Sequence, residues 1–188
     1  HVLAPTLMER SVKHTKGKTD ERDAEGVLQS LRAWLLAGSP LPEVWIPDLQ
    51  TRDDREVVRM RLEVADKLTR CKNQIRCLLK RNNVDSSPMK PWTGDYDVWL
   101  DHQAKSVLSS GAGVALSSLL RQLEHLESER EVLSGELVKL SQGDRHSRQA
   151  KALMEQLGGV GIVTAMVFLT EIGDVKRFTS RQQVGSYL

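Results

Sequence analysis

Apolar residues recur at alternating spacings of three and four along two long stretches, the pattern of helices with one apolar seam. The first stretch runs from Asp53 to about Arg81, and only Arg61 interrupts it. Its apolar positions are Val57, Val64, Leu68, Cys71, Ile75 and Leu78. The second stretch is interrupted only by Arg130, and its seam is Leu116, Leu119, Leu123, Leu126, Leu133, Leu137 and Leu140. We expect a coiled coil, either an antiparallel hairpin within one chain or a pairing between subunits, because a seam does not fix its partner.

Shorter elements surround this coiled coil. Val2–Pro5 is typical of a strand end, and a helix with apolar positions from Val27 to Leu35 precedes Gly38. Prolines then predict an extended linker, and the breakers between Asn82 and Gly94 predict a loop held by Trp92. The resulting divisions are 1–38, a linker at 39–52, coiled-coil helices with their loop at 53–142, and a last region at 143–188.

Composition indicates a soluble, cytoplasmic protein with a mainly α fold. The chain has 188 residues, of which 39% are hydrophobic, enough for one domain or two small ones. No apolar run approaches the roughly 18 residues that a membrane span requires, and the chain does not open on a signal peptide. Cys71 and Cys77 are expected to be reduced thiols on different helix faces, without a zinc site.

The net charge of +2 indicates little by itself, but the basic residues are locally segregated. Lys72, Arg76 and Lys80 recur every four residues, and we expect them to lie away from the apolar seam. Further acid-free groups are Arg10, Lys13, Lys16 and Lys18, and then Arg145, Arg148 and Lys151. Such groups suit nucleic-acid phosphates, although a solvated surface explains each of them equally well.

Two carboxylates stand at the entry to the first predicted helix. Asp20 and Asp23 are three residues apart, so a helix would project them from nearly the same face. Paired carboxylates can hold Mg²⁺, which assists phosphodiester displacement. Acids in a first helical turn also stabilise the helix without any metal, and spacing alone favours that simpler explanation.

A glycine-rich segment lies near the end of the chain, from Leu157 to Ala165. Gly159, Val160 and Gly161, followed by Thr164 and Ala165, have the pattern of a helix-hairpin-helix turn. Glycines would let a DNA phosphate approach the backbone and the free N–H groups of the next helix, so we assign Gly159, Gly161 and Thr164 to DNA contact. A tight turn without a ligand explains the same residues equally well.

Together these blocks resemble the DEDD-type insertion-sequence transposases, which include Piv-like DNA invertases and bridge-RNA-guided recombinases. The blocks stand in the family's order along almost the whole chain. They are Leu3–Pro5, Lys18–Asp20 with Asp23 and Ala24, Val44–Asp48, Asn73, Leu78 and Leu79, Gly159–Gly161, Thr164 and Ala165, Gly173 and Asp174, Arg177 and Phe178, and Gln183–Leu188.

The resemblance implies a remnant of a RuvC-like α/β domain, a coiled coil, and the start of a helical transposase domain. It makes Asp20 and Asp23 two members of an acidic tetrad that binds Mg²⁺. DNA would be the substrate, and a structured guide RNA would select sites in some members. Separately, we expect the chain to form a homo-oligomer through the coiled coil. The other acids and a nucleophilic serine are expected outside this sequence, which looks cut at both ends, so we expect this chain alone to be inactive.

Two other classes of function fit the same residues. A coiled-coil adaptor or DNA-architectural protein would use the glycine turn to bind DNA and the acids only to cap a helix. A purely structural oligomerisation module would show no salt-sensitive DNA binding.

Overall fold

The computed structural model describes residues 2–3, 20–41, 43–84 and 90–187. The chain divides into two compact units, His1–Asp48 and Leu49–Leu188. Every regular element within the described ranges is helical, which confirms the prediction of a mainly α fold. The helices are α1 (Asp20–Ala37), α2 (Leu49–Arg81), α3 (Gly94–Trp99), α4 (Lys105–Val107), α5 (Ser110–Gln142), α6 (Ser147–Gln156), α7 (Ile162–Ile172) and α8 (Arg181–Tyr187). A π-helical turn, Leu100–Ala104, joins α3 to α4.

The first unit consists, where it is described, of α1 and a short extended contact. Gly38 ends α1 with a φ of +67°, a conformation that glycine adopts without steric cost. Of the strand end predicted at Val2–Pro5, the structure describes Val2 and Leu3, and the Val2 carbonyl accepts from Val44 N at 2.8 Å. Leu3 makes only an isolated antiparallel bridge with Glu43, since a single bridging pair is too short for a ladder. Ala4 and Pro5 lie outside the described residues.

In the second unit, α2 and α5 pack against each other as an antiparallel hairpin. Contacts pair the start of one helix with the end of the other: Arg61 Nε donates to Ser134 Oγ at 2.8 Å, and Cys71 Sγ to the Leu119 carbonyl at 3.4 Å. The coiled coil therefore forms within one chain, which decides between the two alternatives. Assembly with a second copy remains a prediction and would require another surface.

The hairpin seam is the core of this unit. Ile75, Leu116 and Leu79 are at most 1% exposed. The predicted seam is confirmed along most of its length, but Val58 is buried where Val57 was predicted. Val58 is four residues after Asp54 and three before Arg61, so it continues the spacing of the seam whereas Val57 lies one position away.

The two arginines that interrupt the seams lie close together. Ser134 joins them, accepting from Arg61 and donating to the Arg130 carbonyl at 2.6 Å. Burial lowers the pKa of Arg61, and the positive charge of Arg130 lowers it further. Arg61 and Arg130 therefore form a polar layer within the otherwise apolar seam of the hairpin. Such a layer is expected where the two helices interrupt their seams at facing positions.

Aromatic residues close the hairpin at its tip. Tyr96 is fully buried and contacts the rings of Trp92 and Trp99, with centroids 5.3 and 5.4 Å away. Trp92 has a φ of +65°, which is strained for a bulky residue. Trp92, near the end of the predicted loop, is thus held against Tyr96, which also contacts Trp99.

At the opposite end of the hairpin, α6 and α7 pack as a second, smaller core. Met166 and Ala150 are buried together with Val58 and Leu137. A short 3₁₀ helix, Val175–Arg177, and then α8 follow. The Arg177 guanidinium lies 4.0 Å from the centre of the Phe178 ring and 4.1 Å from that of Tyr187 in α8. Among the described residues, no helix is long and apolar enough to cross a membrane.

We expect Ile75→Ala to lower the free energy of unfolding by about 2–5 kcal/mol, since the side chain is fully buried in the seam and its removal leaves a cavity. Val132→Ala is the control, because Val132 is 57% exposed on α5 and should change stability by less than ~0.5 kcal/mol. Urea unfolding followed by circular dichroism measures both. Equal losses would contradict the position of the seam.

Candidate nucleic-acid interface

The glycine segment forms a tight turn between α6 and α7, as predicted. Val160 N donates to the Leu157 carbonyl at 3.2 Å, which closes the turn. Gly159 has a φ of +82°, a left-handed conformation that side chains rarely adopt. The turn therefore requires glycine at position 159 for a purely conformational reason.

Gly161 caps α7 in an extended conformation and offers no side chain to the helix N-terminus. The first helical hydrogen bond runs from Ala165 N to the Gly161 carbonyl at 2.9 Å. Consequently, the N–H groups of residues 162–164 precede the helical ladder and carry the positive end of the helix dipole. Gly161 and Thr164 are exposed, and Ile162 and Val163 are half-buried, so this end of α7 reaches the surface.

Open space surrounds the glycines of the turn. A Cβ atom added at Gly158, Gly159 or Gly161 would meet no described atom within 4 Å. Packing within the described part of the chain thus does not explain Gly158 or Gly161, and conformation explains only Gly159. A surface without side chains leaves room for a phosphate to approach the backbone.

Two arginines of α2 hold the far end of α7. Arg55 donates to the carbonyls of Thr170 and Glu171, at 2.7 and 2.8 Å. Arg59 donates to both carboxylate oxygens of Glu171, at 2.8 and 3.0 Å. Since helix C-termini present unpaired carbonyls and negative dipole charge, cations are favourable there. These contacts fix α7, and with it the glycine turn, to the hairpin.

A second polar cluster joins the start of α2 to the connection between α5 and α6. His146 Nε2 lies 2.8 Å from Asp54 Oδ2, and Arg145 donates to the same oxygen at 3.1 Å and to Thr51. Asp54 and His146 are buried. Arg145 was grouped with Arg148 and Lys151 as a phosphate-binding patch, but its pairing with Asp54 gives it a structural role. Lys151 in turn lies 3.8 Å from Glu155.

The predicted basic stripe on α2 divides into two parts. Lys72 lies 3.1 Å from Glu127 and 5.0 Å from the centre of the Trp92 ring, so it makes two contacts within the chain. Burial raises the pKa of the neighbouring Asp97, an effect that Glu127 adds to and Lys72 opposes. Arg76 and Lys80 are exposed and line an open groove.

Asp20 and Asp23 lie in the first turn of α1, and both are exposed. Their placement three residues apart on a helix fits two ligands of one cation. Among the residues that the structure describes, no group of three His, Cys, Asp or Glu side chains could hold a metal ion. The described part of the chain thus supplies two neighbouring carboxylates here and not a complete ligand set. The predicted DNA contacts Lys13, Lys16 and Lys18 lie outside the described residues.

Comparison with known proteins finds similarity to transposases in two ways. Residues 151–188 match the family described as "Transposase IS116/IS110/IS902 family", a range that starts within α6 and contains the glycine turn, α7 and α8. The whole chain is 28% identical over 194 residues to "Putative transposase y4qE" of Sinorhizobium fredii (strain NBRC 101917 / NGR234), and it covers 42% of that protein. No solved structure matches.

Sequence reasoning did not find the contacts of Arg55, Arg59 and Glu171. The spacing of Arg55 and Arg59, four residues apart beside the seam, was a weak signal that α2 carries a polar contact for another element. Glu171 offered no signal, because its partners lie more than 110 residues away.

We expect Gly159→Ala to lower the free energy of unfolding by about 1–2 kcal/mol, the cost of a left-handed residue with a Cβ. Gly158→Ala is the matched control, since it adds the same methyl group in open space without a positive φ and should cost less than ~0.5 kcal/mol. Urea unfolding of the two variants tests this. A larger loss in Gly158→Ala would contradict the geometry of the turn.

Proposed function

We propose that this chain is part of a DNA transposase or site-specific recombinase of an insertion sequence, which cleaves and exchanges DNA strands with the assistance of a metal ion. The observation that carries the proposal is the transposase match over residues 151–188, because those residues include the glycine turn whose open surface the fold does not explain. The finer resemblance to the DEDD-type enzymes, with guide RNA in some members, is part of the same proposal.

The glycine turn is proposed to bind the DNA backbone. Its exposed glycines would let a phosphate oxygen approach the N–H groups of Ile162, Val163 and Thr164, where the dipole of α7 favours an anion. Contacts of this kind hold the DNA in register without reading its sequence. Arg55 and Arg59 would serve this binding indirectly, since they fix α7 to α2.

Asp20 and Asp23 are proposed to supply two carboxylates of the metal site. Mg²⁺ would stabilise the attacking and leaving oxygens of the phosphodiester when bound. The role proposed for this chain is to present two oxygen ligands from one helical turn. We further propose that α1 belongs to a larger domain. Its apolar side chains Leu28, Leu31, Leu35 and Leu36 are exposed among the described residues, as expected of a helix that packs on further structure.

The metal assignment is tested by Asp20→Asn and Asp23→Asn, assayed for recombination in cells within the longer protein that contains this chain. Each change removes a ligand charge, so we expect recombination to fall by about 100-fold or more, as losses of essential catalytic groups do. Glu25→Gln is the control, because Glu25 is an exposed acid on the same helix and should leave recombination unchanged.

Protein levels and DNA affinity are measured alongside recombination, to exclude unfolding as the cause. Unchanged recombination in both aspartate variants would contradict the metal assignment. The carboxylates would then be helix-capping groups, and a non-enzymatic DNA-binding adaptor would be the better account of the chain.

The DNA contact is tested by Thr164→Glu, in which an added negative charge favours the N-terminal turn of α7 but repels phosphate. We expect affinity for random duplex DNA to fall about tenfold, equivalent to ~1.4 kcal/mol. Ser128→Glu, which places the same charge on an exposed site of α5, should have a much smaller effect. Fluorescence anisotropy at two salt concentrations measures both variants. Equal affinities would contradict binding at the turn, and salt-independent binding would contradict phosphate recognition.

A further inference from the structure

An open groove lies near the tip of the hairpin, at the carboxyl end of α2. It is lined by Asn73, Arg76, Cys77, Leu79, Lys80, Asn83 and Val84, and its volume is about 590 Å³. This volume falls in the ~300–1,000 Å³ range of sites that enclose small ligands. Leu79 is 1% exposed and Val84 packs against the hairpin core, so the groove has an apolar floor that the fold holds in place.

The polar side chains of the groove are of two kinds. Arg76 and Lys80 are four residues apart on α2 and exposed, and neither has an ion-pair partner among the described residues. Asn73 and Asn83 add carboxamides, each of which both donates and accepts hydrogen bonds. None of the seven lining residues is acidic. The groove thus combines three features. Its cations can bind a phosphate, its amides can hydrogen-bond the polar edge of a planar ring, and its apolar floor can contact the face of that ring.

We propose that this groove binds an unpaired nucleotide of a single nucleic-acid strand. A flat row of cations would suffice for the backbone of a duplex, whose bases are stacked inside the helix. A concave site with carboxamides and an apolar floor instead suits a base that is free to leave the stack. Arg76 and Lys80 would bind the flanking phosphates, as cations in single-strand grooves do.

The groove is distinct from the glycine turn. The groove shares no residue with the turn, and it lies near the tip of the hairpin, whereas α6 and α7 pack at the opposite end. Both sites could therefore be occupied at once. The inference rests on the proposed function, because it gives a specific ligand to a nucleic-acid-binding chain.

The double variant Arg76→Gln with Lys80→Gln tests the groove. Its control is Arg70→Gln with Arg121→Gln, which removes the same charge from exposed positions outside the groove. Anisotropy is measured with oligothymidylate, oligouridylate and a random duplex. We expect the groove variant to bind single strands about tenfold or more weakly than the control variant does, and duplex DNA equally well. The two oligonucleotides distinguish a DNA strand from an RNA strand.

Cys77 provides a second readout that does not depend on charge. It is an exposed free thiol in the groove, whereas Cys71 is buried and burial raises the pKa of its thiol. Alkylation in the native state should therefore modify Cys77 first. Saturating oligonucleotide should slow this modification several-fold in the otherwise unaltered chain, and saturating duplex should not.

These measurements distinguish a failure of the groove proposal from a failure of the proposed function. Equal single-strand affinities in the two double variants, or an unprotected Cys77 at saturation, would overturn the groove while duplex binding upheld the proposed function. Absence of binding to all three nucleic acids, in a chain shown by circular dichroism to be folded, would overturn both. Loss of single-strand binding in the groove variant alone, together with protection of Cys77, would establish the site.

Discussion

The apolar seam between α2 and α5 determines where the other elements of residues 49–187 lie. Ile75, Leu79 and Leu116 are buried between the two helices, and burial of apolar surface is the main source of stability in a fold of this kind. At one end the seam continues into the aromatic contacts of Tyr96, and at the other into the packing of Met166. The basic groove therefore lies near one end of the hairpin, and the helices that form the glycine turn pack at the other end.

Polar contacts at the base of the hairpin add orientation to this packing. Apolar contacts are not directional, whereas the hydrogen bonds of Arg55 to the last carbonyls of α7 require a defined position of that helix. Asp54 has a similar effect on the connection between α5 and α6. A DNA backbone bound at the glycine turn would consequently have a defined direction relative to the hairpin.

Helix periodicity and turn chemistry were sufficient to predict the two long helices, the break near Trp92 and the glycine turn, because these depend on residues close in sequence. The pairing of the long helices within one chain was not predictable, since a seam does not name its partner. The ion pairs of Lys72 with Glu127 and of Arg145 with Asp54 were not predictable either. The sequence pattern had assigned both cations to nucleic-acid phosphates. Local charge patterns do not show which distant acid faces each cation.

Amide hydrogen exchange with and without duplex DNA most directly tests the central claim, that the turn between α6 and α7 binds the DNA backbone. The account predicts slower exchange in residues 158–164 when DNA is bound, and no change in the acidic middle of α5 at residues 124–136. Unchanged exchange across the turn, with protection confined to other parts of the chain, would contradict it.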